Sequence, residues 1–73
     1  MFDDPDLAED PELAQARVFL SELERHIAGL TRRLHTALTS EARQSIDSEL
    51  STLRRYVDRI QRRFPGITPA RAN

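Results

Sequence analysis

Two apolar heptad seams, out of phase with one another, constrain this chain more than anything else in it. In the first, Leu13, Ala16, Leu20, Leu23, Ile27, Leu30, Leu34 and Ala37 recur at alternating intervals of three and four residues. That spacing puts Leu13, Leu20, Ile27 and Leu34 at a positions and Ala16, Leu23, Leu30 and Ala37 at d positions of one helix. In the second, Ile46, Leu50, Leu53, Val57, Ile60 and Phe64 follow the same rule, with Leu50, Val57 and Phe64 at a. Continuing the first frame into the second half would bring Glu41, Gln44, Ser48, Ser51, Arg55 and Asp58 onto the seam, and all are polar. The offset is two residues, whereas a continuous coil accommodates discontinuities of three or four. A reversal of the chain accounts for it. The alternative is one long helix with a phase break.

Boundary signals place the elements. Asp10 can cap a helix, Pro11 suits the first helical position, and Glu12 suits the positive end of the dipole. A first helix is therefore expected over about 11–38. Phe19 at g and Leu38 at e widen its stripe, which favours a multi-helix bundle over a two-stranded coil. Thr39-Ser40 is the expected reversal, with Ser40 capping a second helix over about 41–64 and Glu41 in its first turn. Pro65-Gly66 should stop that helix. Gly29 falls at an outer c position, where it costs about 1 kcal/mol relative to alanine. Close approach of another backbone would justify it, and an incidental glycine is the alternative.

Two helices of matched length joined by a short loop give an antiparallel hairpin. A two-helix hairpin covers each apolar stripe on one side only, and the 73-residue chain has no cysteine to staple it. The expected fold is thus all-α, an antiparallel hairpin self-associating into a four-helix bundle or a larger helical oligomer. Its oligomer core is expected to be Leu13, Leu20, Leu23, Ile27, Leu30, Leu34, Ile46, Leu50, Leu53, Val57, Ile60 and Phe64. Around this oligomerisation domain of residues 11–64, residues 1–10 read as a mobile acidic arm and 65–73 as a flexible tail.

The net charge of −1 hides a division. Residues 1–24 hold eight acids and one base, Arg17, whereas residues 25–73 hold ten arginines and four acids. An antiparallel hairpin sets the acidic start of the first helix beside the basic end of the second, so Asp10 and Glu12 should approach Arg59, Arg62 and Arg63. Such pairs select antiparallel register more than they add stability.

Catalytic chemistry finds little footing, so the expected chain is not an enzyme and carries no cofactor or metal. His26 and His35 do not share a helical face, and neither a zinc-binding HExxH nor an EF-hand acid set occurs. Glu22 and His26, four apart, read as a surface pair rather than metal ligands. With two glycines in all there is no phosphate-cradling loop. No stretch of about 18 apolar residues exists to span a membrane, membrane binding is disfavoured, and the acidic start does not read as a targeting peptide. The default expectation is a cytoplasmic chain.

Two partner surfaces remain. Arg55, Arg59 and Arg62 share an outward stripe with Arg54 and Arg63 beside it, a face suited to an acidic partner or to nucleic-acid phosphates. A solvated face that also pairs with the acidic arm is the plainer account. Phe2 and Leu7 in that arm suit a short segment that orders on a partner. The expected function is a homo-oligomeric interaction module, an adaptor or scaffold for a protein partner; the alternative is a nucleic-acid-binding accessory protein. In general architecture the expected hairpin resembles small RNA-binding hairpin dimers and the oligomerisation cores of phage small terminases. That likeness rests on architecture alone, with no motif behind it, and implies no family.

Overall fold

The computed structural model describes residues 10–70. Within them the chain forms two α-helices, α1 (Pro11–Thr36) and α2 (Ser40–Arg63), packed against one another as a hairpin. The reversal therefore exists, and a single uninterrupted rod is excluded.

The start of α1 follows the expected chemistry. The Asp10 carboxylate accepts from the Glu12 backbone N–H at 3.0 Å, and Pro11 occupies the first turn. The turn between the helices differs from expectation by one residue. Thr39, not Ser40, is the cap: its backbone is extended and its hydroxyl accepts from the Ala42 N–H at 3.0 Å. Ser40 already has helical backbone, so its own hydroxyl stands too far along the chain to serve. Removing the capping oxygen in Thr39→Ala is expected to cost about 0.5–2 kcal/mol, read from the denaturation midpoint. The same substitution at Ser40 should leave that midpoint nearly unchanged.

The end of α1 is also earlier than the apolar pattern suggests. Ala37 leaves the helix with extended backbone, and its N–H reaches back to the Leu34 carbonyl at 3.3 Å. Leu38 consequently lies in the turn, 95% exposed, and adds nothing to the apolar stripe. The heptad continues on paper through a residue that the reversal points into solvent.

Six of the expected core residues are buried inside one hairpin: Leu20, Leu23, Leu30, Ile46, Leu50 and Leu53. Leu23, Leu30, Ile46, Leu50 and Leu53 form one cluster, with Ile27, Leu34, Ala37, Val57 and Ile60 packed at its margin. The other six expected core residues, Leu13, Ile27, Leu34, Val57, Ile60 and Phe64, are only half-buried. This is the geometry of two cylinders in contact: the middle of each stripe is covered and its edges are not.

Past α2 the chain turns rather than trailing away. The Phe64 N–H caps onto the Ile60 carbonyl, and Gly66 takes a positive φ of 79°, which a residue without Cβ adopts at little cost. The Ile67 N–H donates to the Phe64 carbonyl at 3.0 Å. The chain then meets α1 again. The Ala70 N–H donates to the Arg17 carbonyl at 3.0 Å, and Arg17 Nε donates to the Thr68 carbonyl at 3.2 Å. Of residues 65–73, read from sequence as a flexible tail, Thr68 and Ala70 are hydrogen-bonded to Arg17 of α1, and 71–73 lie outside the described residues.

Candidate interaction surface

Two polar contacts between the helices, one of them an ion pair, define one flank of the hairpin. Near the open end, Arg63 Nη2 meets Glu12 Oε2. Further along, His26 Nε2 lies 3.9 Å from Glu49 Oε2. Glu12 and His26 are two heptads apart on α1, and Glu49 and Arg63 are two heptads apart on α2. The register midway between these pairs therefore sets Phe19 opposite Tyr56. Both rings are partly open to solvent, Phe19 at 47% and Tyr56 at 40%. Along this flank, from the open end toward the turn, stand the Glu12–Arg63 ion pair, two aromatic side chains at matching positions, and the His26–Glu49 approach.

Two open grooves lie along α1 on this side. One, of about 490 Å³, is lined by Glu12, Gln15, Ala16, Phe19 and Glu22 with Arg63 and Phe64. The other, of about 480 Å³, is lined by His26, Gly29, Leu30, Arg32, Arg33 and Thr36. The first half of this face is acidic on α1 and the second half basic.

Of the expected contacts between acids at the start of α1 and arginines at the end of α2, the structure forms Glu12–Arg63. Arg62 turns instead to Asp58 one turn back on its own helix, at 2.8 Å. Arg63 also sits over the Phe64 ring, 5.4 Å from its centroid. Both ion pairs are well exposed to solvent, so each contributes about 0–1 kcal/mol. Of the five arginines of the expected stripe, Arg54, Arg55 and Arg59 remain exposed and make no ion pair among the described residues. Arg63 belongs to the Glu12 flank rather than to that stripe. The Phe2 and Leu7 arm lies outside the described residues.

No protein-family model, curated protein or solved structure matches this chain. Its own geometry therefore carries the functional reading.

Within that geometry, His26 faces Glu49 across the hairpin, whereas the sequence pairs it with Glu22 along one helix. Among the described residues no three histidine, cysteine or carboxylate side chains converge on a metal-sized space. No helix among them is long and apolar enough to cross a membrane. Two features escaped the reading of sequence. The Phe19–Tyr56 juxtaposition was available from the two heptads once an antiparallel register was assigned. The docking of residues 68–70 on Arg17 runs through one bond that is backbone at both ends and one from the Arg17 side chain to a backbone carbonyl, and backbone partners leave no trace in residue type.

Proposed function

We propose that this chain is a non-enzymatic, homo-oligomeric helical interaction module, an adaptor or scaffold whose hairpin associates with further copies and presents its surface to a protein partner. The observation that carries the reading is the ring of half-buried seam residues, Leu13, Ile27, Leu34, Val57, Ile60 and Phe64, around a narrow buried centre. Leucine, isoleucine and phenylalanine at a and d positions contribute most when covered on both sides, and a second hairpin supplies the missing side. Covering the apolar surface that these six residues still expose adds about 25 cal/mol per Å² on association. Sedimentation of the full chain at micromolar concentration tests this. The expected result is a helical species of twice the chain mass or more; a folded monomer across that range rejects the proposal.

A second reading is favoured by Arg54, Arg55 and Arg59, which stand exposed on α2 without carboxylate partners among the described residues. A twofold assembly would duplicate that cluster and could follow nucleic-acid phosphates. Replacing all three with glutamine is expected to abolish gel shifts of RNA or DNA that the parent chain gives at low salt. No shift by the parent chain at low salt removes this reading.

A further inference from the structure

We infer that the flank of α1 bearing Phe19 and Gly29 is the contact between two copies of this chain, which pack α1 against α1 antiparallel across a twofold axis, Phe19 of each copy seated over Gly29 of the other. The inference rests on the homo-oligomer reading and names one contact face, on the g and c flank of α1; the half-buried a residues Leu13, Ile27 and Leu34 lie on the other side of the seam from it.

Charge complementarity identifies the occupant. Along this face α1 carries Glu12 and Glu22 in its first half and Arg32 and Arg33 in its second, with Arg63 of α2 also lining the first groove beside Glu12. A parallel pairing would set glutamate on glutamate and arginine on arginine. An antiparallel pairing sets the acidic half of each copy on the basic half of the other, and a twofold axis repeats every favourable contact. The face is therefore complementary to itself.

Shape fixes the register. Phe19 lines the groove of the first half and is 47% exposed within its own hairpin. Gly29 lines the groove of the second half. Nothing inside the hairpin demands a glycine there. A Cβ built on Gly29 would meet only the flexible end of Arg32, at an ordinary 3.8 Å, and the backbone is regular helix without positive φ. A helix surface without Cβ at that point lets another body approach closely. Setting Phe19 opposite Gly29 also sets Glu22 opposite His26 and Gln15 opposite Arg33, which leaves Arg33 one helical turn from Glu12 of the other copy.

The direction of the face agrees with a bundle. The g and c positions that hold Phe19 and Gly29 lie roughly a quarter-turn around α1 from the direction in which its a and d seam meets α2. In a four-helix bundle each helix has two neighbours at about that angle. α2 occupies one, and the second copy's α1 takes the other.

The test uses the absence of native cysteine. Full-length chains carrying Gln15→Cys or Arg33→Cys are treated with a short bismaleimide, separately and mixed. The expected result is a cross-linked dimer from the mixture and little from either variant alone, because each position lies opposite the other and far from its own copy. In parallel, Gly29→Leu, which improves helix propensity and so retains the hairpin by circular dichroism, is expected to weaken the dimer by about tenfold or more in sedimentation. If the parent chain sediments as an oligomer while the mixture fails to cross-link, or Gly29→Leu associates as the parent does, a different face mediates assembly and this inference falls while the oligomer reading stands. A monomeric parent chain overturns both.

Discussion

Leu30→Ala is expected to destabilise the hairpin by about 2–5 kcal/mol, measured as the loss in unfolding free energy by denaturant at fixed protein concentration. Leu30 is 1% exposed and belongs to the cluster that joins the helices through Leu23, Ile46, Leu50 and Leu53. Truncation removes its buried methyl groups and leaves a cavity that two rigid helices can only partly close, so the cost exceeds simple transfer to water. Small single domains have about 5–15 kcal/mol in total, which makes this a large fraction of what holds the fold. Leu38→Ala is the matched control. The residue type is the same and the apolar pattern includes it, yet Leu38 stands in solvent in the turn. Its loss should change stability by about 0.5 kcal/mol or less. Equal effects at the two positions would mean that α1 continues through Leu38.

Leu20→Ala is expected to cost a comparable amount, about 2–5 kcal/mol, although Leu20 stands apart from the main cluster. It is as fully enclosed as Leu30, at 1% exposure. Because that enclosure is achieved within a single chain, the loss should be the same in a concentrated and a dilute sample. The half-buried positions behave otherwise. If they are covered by a second copy, the cost of Val57→Ala or Ile60→Ala should rise with protein concentration. A Leu20→Ala loss below about 1 kcal/mol would show that its enclosure contributes little.

The elements were legible in the sequence where chemistry repeats or where a side chain has one evident task. Eight apolar residues at three- and four-residue intervals from Leu13 to Ala37 specify a helix with one wet and one dry side, and the two-residue phase offset before Ile46 requires a reversal. Asp10-Pro11-Glu12 and Pro65-Gly66 mark a start and a stop through capping and the missing proline N–H. The turn was less legible because Thr39 and Ser40 are chemically equivalent caps, and which of them serves depends on where α1 lets go. The heptad also runs past that point, so Ala37 and Leu38 look like helix until the backbone at Ala37 is seen to be extended. In the candidate surface, opposite charges at the open end foretold Glu12–Arg63, and the spacing of Asp58 and Arg62 allowed the pair that gives Arg62 a carboxylate partner on its own helix. The aromatic pair of the flank needed the register between helices, which no single helix encodes. The return of residues 68–70 was the least legible, since apart from the Arg17 side chain it depends on backbone amides and carbonyls that every residue offers.

That return has a consequence for fidelity of alignment. A heptad seam is nearly self-similar: sliding one helix past the other by two turns, about 10 Å, again puts large aliphatic side chains in contact along most of their length. Hydrophobicity alone discriminates poorly between such neighbouring alignments. The short span from Phe64 to Ala70 acts as an index pin, because it joins the end of α2 to the carbonyl of Arg17, and any slipped arrangement would tear it from its seat.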